Sequence, residues 1–214
     1  PEVLWTMGRI GEFAVSSDGG KIVYTVSDYS IEGNSGFSRI YVMNADGTDN
    51  RCLTNGEFGE YSPAWTVDGE IAFMTYSTGD MQVWVMDDKG NGRRQITNIS
   101  GGINGFEYSH DGKQMVFAAE VKMKDQVADI YPDLPKSSGR INNDLMYRHW
   151  DQWVDTFSHL FVASTTNGMI TNGTDIMQGE PWESPVRPFG GMERVAWTLD
   201  NDGILYCSRK KVGK

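Results

Sequence analysis

A phrase built on Asp-Gly returns along this chain at a fixed step, and a repeat of that length decides the fold before any single residue does. It stands at Asp18-Gly19, Asp68-Gly69 and Asp111-Gly112, with a looser echo from Asp200 to Gly203. Each copy follows an apolar or aromatic residue and then a hydroxyl residue. Each precedes a short β-prone run: Ile22-Val23-Tyr24, Ile71-Ala72-Phe73, Met115-Val116-Phe117 and Ile204-Leu205-Tyr206. A second phrase keeps step. Arg39-Ile40-Tyr41-Val42-Met43 runs through Gly47 to Leu53-Thr54, and Gln82-Val83-Trp84-Val85-Met86 runs through Gly90 to Ile96-Thr97. Tyr41 to Trp84, Thr54 to Thr97 and Asp68 to Asp111 are each 43 positions.

One unit is therefore a four-stranded antiparallel meander of strands about five residues long, joined by tight turns. A single sheet of this kind cannot bury both faces. Stacking sheets radially gives each one two neighbours, the β-propeller solution. The expected fold class is all-β: a partial β-propeller of about three and a half blades, with one helical insertion. The units fall at 13–54, 61–97, 105–177 and 195–208 of the 214 residues. A β-sandwich of short strands competes, but needs no fixed spacing. Tyr41, Trp84, Trp65, Tyr108 and Trp197 are expected to pack between blades. Because closed propellers have about four to eight blades, the chain reads as a piece of a longer protein.

A net charge of −10 argues against nucleic-acid and anionic-membrane partners, which need a basic footprint. No apolar run approaches the roughly 18 residues of a membrane span, and no signal peptide is visible. Cys52 and Cys207 sit in strand-like runs and read as small buried hydrophobes. They make no Cys-x-x-Cys motif.

Catalytic chemistry is missing from the pattern. No Gly-x-Ser-x-Gly elbow appears. His110, His149 and His159 are scattered and make no zinc site. In His149-Trp150-Asp151, the two polar residues would diverge on a helix. Asp200-Asn201-Asp202-Gly203 reads as a polar hairpin turn, not a calcium loop. No catalytic residue, metal site or cofactor is expected in this chain.

One connection breaks the step. Asp68 to Val83 is 15 positions, whereas Asp111 to Leu160 is 49, so the third unit carries 34 extra residues. They fall within 121–159, and a loop this long is unusual unless functional or disordered. It contains Tyr131-Pro132-Asp133-Leu134-Pro135, then Gly139-Arg140-Ile141-Asn142-Asn143-Asp144, then Leu145 to Asp155. Asn143 or Asp144 could cap a helix. Leu145, Met146, His149, Trp150, Trp153 and Val154 would then share one face, with Asp144 pairing Arg148. The aromatics read as a clamp onto the blades or as the lining of a substrate cavity. Arg148, Trp150, Asp151, Trp153 and Asp155 are the candidate substrate-binding residues. Asp151 and Asp155 are the carboxylates best placed to hold a cation such as a peptide α-ammonium.

These residues carry a resemblance. Ser16-Ser17-Asp18-Gly19-Gly20-Lys21-Ile22-Val23-Tyr24, with Arg39-Ile40-Tyr41-Val42 and Arg94-Gln95-Ile96-Thr97, resembles the repeat of TolB-like and prolyl oligopeptidase-type propellers. Ser17, Val67 and His110 depart from it where proline is common. Tyr131–Pro135, Asp144–Trp153, Thr174-Asp175-Ile176-Met177 and Pro188-Phe189-Gly190-Gly191 resemble dipeptidyl peptidase 5-like and acylaminoacyl-peptidase-like serine peptidases. So does the opening Leu4 to Ile10. The resemblance implies a hydrolase acting on peptide substrates, periplasmic or secreted. It implies a partner in the protein's own C-terminal α/β-hydrolase domain, which would carry Ser, Asp and His and is absent from this chain. A homodimer is an admissible assembly. The alternative is a TolB-like propeller that binds proteins without catalysis.

Overall fold

The computed structural model describes residues 2–134, 136–142, 148–149, 152–187 and 189–210. A short helix α1 (Glu2–Thr6) leads into the first sheet, β1 (Arg9–Val15), β2 (Lys21–Ser30), β3 (Ser35–Asn44) and β4 (Arg51–Cys52). The second sheet is β5 (Glu60–Trp65), β6 (Ile71–Thr78), β7 (Asp80–Met86) and β8 (Arg94–Gln95). The third begins with β9 (Gly105–Tyr108) and β10 (Gln114–Lys122). The chain then forms a helical turn, α2 (Val127–Ile130), and a small hairpin, β11 (Arg148–His149) with β12 (Gln152–Trp153). It returns as β13 (Thr156–Ser164) and β14 (Thr174–Asp175), and β15 (Val195–Trp197) pairs with β16 (Ile204–Tyr206) in a last hairpin. All three large sheets are antiparallel meanders in sequence order. The all-β propeller expectation holds.

The Asp-Gly phrase is explained atom by atom. Gly19, Gly69 and Gly112 take φ of 72°, 79° and 70°, the left-handed region glycine enters without a Cβ clash. Their amides close turns onto Ser16, Thr66 and Ser109 carbonyls at 2.8, 3.0 and 2.9 Å. The hydroxyl residue that opens each turn accepts the amide at which the chain leaves the turn. Lys21 donates to Ser16 Oγ at 2.8 Å, Glu70 to Thr66 Oγ1 at 3.1 Å, and Gln114 to Ser109 Oγ at 3.0 Å. In the fourth copy Asn201 (φ 63°) takes the left-handed place, and Gly203 donates to Thr198 Oγ1 at 2.9 Å. The polar stretch Asp200–Gly203 is a hairpin turn, as expected.

The other repeated residue, threonine after the fourth strand, has an equally local job. Thr54 Oγ1 accepts the Ile40 amide at 2.9 Å, and Thr97 Oγ1 accepts the Val83 amide at 2.8 Å.

Packing follows the period of two. On β10, Met115, Phe117 and Ala119 face the second sheet, where they meet Ala72, Met74, Val83 and Val85. Val116 and Ala118 face the opposite way, toward Val195 and Trp197. On β6, Ile71 and Phe73 turn toward Val23 and Ile40 of the first sheet. The inner strands are buried on both faces, which accounts for their unbroken apolar runs. Trp65, Trp84, Tyr108 and Trp197 lie between blades as expected, whereas Tyr41 stacks on Tyr24 on the face of the first sheet turned away from the second, because it alternates with Ile40 and Val42, and Ile40 packs toward the second sheet. Trp65 Nε1 donates to the Ala14 carbonyl at 3.2 Å, and Trp197 Nε1 to the Glu107 carbonyl at 3.4 Å.

Two further expectations are corrected. The cysteines are exposed and unbridged, because Cys52 lies on the outermost strand of its sheet and Cys207 follows the edge strand β16. The helix expected over Leu145–Val154 is not formed at its described residues: Arg148 pairs with Trp153 and His149 with Gln152 across an antiparallel ladder. The helical part of the insertion is α2 instead. Asn143, Asp144, Leu145, Met146, Tyr147, Trp150 and Asp151 lie outside the described residues, as do Pro135 and Pro188.

Candidate functional site

An antiparallel meander puts its first-to-second and third-to-fourth turns at one end and its second-to-third connection at the other. The Asp-Gly turns therefore gather at one end of the stack, where neighbouring turns touch. His110 donates its amide to Asn201 Oδ1 at 2.7 Å, and Lys21 pairs with Asp88. The insertion leaves from the opposite end. β10 and β13 pair without interruption from Gln114↔Ser164 to Lys122↔Thr156, so the segment that leaves the sheet is 123–155.

Its described residues are tied down polar group by polar group. Lys122 pairs with Asp129, and the Gln126 amide donates to Asp129 Oδ2 at 2.7 Å. The Lys122 ammonium first, and that amide second, hold the Asp129 carboxyl below its ordinary 3.8. Gln126 Oε1 accepts the Ile141 amide at 3.2 Å, which brings the Gly139-Arg140-Ile141 stretch back over α2. Arg140 then pairs with Asp155 and lays its guanidinium over the Trp153 ring, 4.5 Å from the centroid. Arg148 lies 5.4 Å from the same centroid. Guanidinium groups at these distances are attracted by the ring's negative face. Trp153 keeps 39% of its surface exposed.

The structure thus brings Trp153 and Asp155 onto one side chain the sequence did not single out, Arg140, and sets Arg148 over the same ring. The carboxylate expected to hold an incoming cation already holds one from its own chain. Trp153 therefore lies beneath two guanidinium groups of its own chain. Such a cluster can pack an apolar side chain and donate hydrogen bonds to carbonyl or carboxylate oxygens. Arg140 sits between Gly139 and Ile141 in an unpatterned stretch, so spacing carries no signal for it.

The histidines divide by setting. His110 lies in the exposed Asp-Gly turn. His159 is buried, with Nδ1 2.9 Å from Asp175 Oδ2 and Nε2 3.1 Å from the Glu180 carbonyl oxygen, where it joins β13 to β14 and the loop beyond. Among the described residues, no three His, Cys, Asp or Glu side chains cluster as metal ligands, and no helix is long and apolar enough to cross a membrane.

Comparison with known proteins gives this geometry a setting. No protein-family model matches the chain. The chain is 48% identical over all of its 214 residues to dipeptidyl-peptidase 5 of Porphyromonas gingivalis, and 45% identical to that of Porphyromonas endodontalis. From end to end it is similar to dipeptidyl-peptidase 5. It spans 31% of the length of these two relatives. In fold, it is similar to an acylaminoacyl peptidase in complex with Z-Gly-Gly-Phe-chloromethyl ketone. The TM-score is 0.59 at 14% identity, over 76% of this chain and 24% of that one. It is also similar to TolB from Acinetobacter baumannii, with a TM-score of 0.50 at 14% identity, over 80% of this chain and 33% of that one. The expected resemblance to dipeptidyl peptidase 5-like and acylaminoacyl-peptidase-like proteins is borne out.

Proposed function

We propose that this chain is the non-catalytic propeller portion of a serine peptidase that trims short peptides, of the dipeptidyl or acylaminoacyl type. One observation carries the proposal: the 48% identity to a dipeptidyl-peptidase 5 runs through all 214 residues, insertion included. On this reading the catalytic Ser, Asp and His belong to an α/β-hydrolase domain within the larger part of the protein, and the whole works in the periplasm or outside the cell. The stacked sheets wall off the catalytic domain from folded proteins. The 123–155 segment narrows the substrate cavity, with Arg148, Trp150, Asp151 and Trp153 as its substrate-facing residues. The pairing of Asp155 with Arg140 supports a reading in which that carboxylate holds the segment's shape while Trp153 and Arg148 meet the peptide.

The test is turnover of dipeptidyl and acyl-aminoacyl chromogenic substrates by the complete natural protein and, separately, by residues 1–214. Cleavage by the complete protein alone is expected. Turnover by residues 1–214, or none by the complete protein, would overturn the reading. The likeness to TolB favours a second reading, a protein-binding propeller without catalysis. A complete protein lacking a Gly-x-Ser-x-Gly elbow would decide for it.

A further inference from the structure

The insertion's root is held by a residue far away in sequence. Arg187 lies in the crossover between the third sheet and the last hairpin. Its Nε pairs with Glu183 Oε2 at 3.0 Å, and its amide donates to Glu183 Oε1 at 3.2 Å. Its Nη2 donates to the Thr156 carbonyl at 2.5 Å, and its Nη1 lies 3.8 Å from Glu120 Oε2. Thr156 and Glu120 meet diagonally across the neck: the Thr156 hydroxyl donates to Glu120, whose other oxygen accepts from Asn104 Nδ2 at 2.7 Å. One planar guanidinium therefore spans both strands from which the insertion departs. Thr156 directly follows Asp155, the residue that grips Arg140 and, through it, the Trp153 ring.

The crossover is itself fixed at two more points. The Ser184 amide donates to the Ser158 carbonyl at 2.9 Å, and Ser208 Oγ, just past β16, donates to the Glu183 carbonyl at 3.1 Å. Arg187 thus stands where the next blade meets the root of the insertion.

We propose that Arg187 is a positioning residue that sets the direction in which the 123–155 segment leaves the third sheet. It acts through Thr156 and Asp155, without touching substrate. Its effect on substrate binding rests on the function proposed above; its effect on the segment does not. A lysine cannot replace it in full, because one ammonium cannot meet Glu183, Thr156 and Glu120 in the fork that a guanidinium presents.

The experiment uses the complete natural protein with Arg187→Ala and Arg187→Lys. Limited trypsin digestion is followed by mass spectrometry at the bonds after Lys136, Arg140 and Arg148, with the bonds after Arg51 and Arg94 as controls. KM and kcat are measured on a dipeptidyl chromogenic substrate. For R187A the insertion bonds are expected to open about tenfold faster with the controls unchanged, as loss of a charge-assisted contact to a locally opening segment predicts. KM is expected to rise several-fold with kcat little changed, and R187K to fall between on both readouts. Wild-type cleavage of the insertion overturns the proposal, and so does equal acceleration at the control bonds. A KM change without faster insertion cleavage also overturns it. Faster insertion cleavage with KM unchanged upholds the positioning role and removes the insertion from substrate binding. If R187A fails to fold, R187K carries the same comparison.

Discussion

The second and third sheets are built on one plan and differ in one connection. In both, four strands meander in order, an aromatic pair faces across the middle strands, and the inner strands are buried on both sides. Phe73 pairs with Trp84 in one sheet, and Phe117 with Phe161 in the other. Yet between the middle strands the second sheet turns at Gly79, while the third sends out 123–155. The blade's stability and its individuality therefore live in different residues. Strand positions hold the stack, and the far-end connection is free to carry a specific surface.

Four outcomes in the complete protein would break or sharpen that comparison. The largest concerns what the sheets share. Phe73→Ala and Phe117→Ala should each cost about 3–5 kcal/mol by denaturant titration, since both rings are fully buried. A loss confined to one sheet would mean that the two are not equivalent scaffolds. Next comes what they do not share. Replacing 123–155 by a short turn centred on glycine should leave the unfolding midpoint within a few degrees while lowering kcat/KM by about a hundredfold, the scale of a lost positioning element. Collapse of the fold would show that the insertion is structural.

A smaller effect tests the shared threonine. Thr97→Val should cost about 1–3 kcal/mol, because the buried Val83 amide loses its acceptor, whereas Thr97→Ser should recover most of it. Equal losses from the two variants would contradict the hydrogen bond.

The smallest effect is a pH signature peculiar to the third sheet. The position of Ala64 in the second sheet is taken by Glu107, whose carboxyl burial pushes above the ordinary 4.5. Relative to the unfolded chain, a raised carboxyl contributes stability below pH 4.5 and loses it as pH rises through the folded value. Glu107→Gln should therefore stabilise at pH 7 and bring no gain below 4.5. Asp111 runs the other way. The Ser109 hydroxyl and the Lys113 amide hold its carboxyl below 3.8, so its contribution is present above 3.8 and is lost as pH falls through the lowered value. Asp111→Asn should destabilise at pH 7 and converge with wild type in acid. Chemical denaturation of both variants across pH 2–8 separates the two signs, and parallel curves would refute them.

The sheets were legible because their causes are local and repeated. Ser16, Thr66 and Ser109 each accept the amide of the turn glycine three residues on, and Tyr41 and Trp84 stand at the same place in successive blades. The insertion has no second copy to average over. Its hairpin pairs partners five and three positions apart, Arg148 with Trp153 and His149 with Gln152. Those spacings bracket the four of a helix, and His149 and Trp153, which a helix would set on one face, are not partners in the ladder. The residues that fix the candidate site, Arg140 and Arg187, act across long stretches of chain, through contacts that no local pattern encodes.

The ladder between β10 and β13 has a consequence for how such a molecule can change. Its nine residue pairs bring the two ends of any inserted segment back to within one hydrogen bond of each other. The entropy of closing a loop grows only with the logarithm of its length, about 0.6 kcal/mol per doubling. Lengthening a two-residue turn to the 33 residues of 123–155 is about four doublings, or roughly 2.4 kcal/mol. That is less than one buried phenylalanine contributes, and the ladder below the neck keeps its register throughout. A blade closed in this way is a socket: segments of different length and chemistry can be exchanged there while the stack beneath them stays the same.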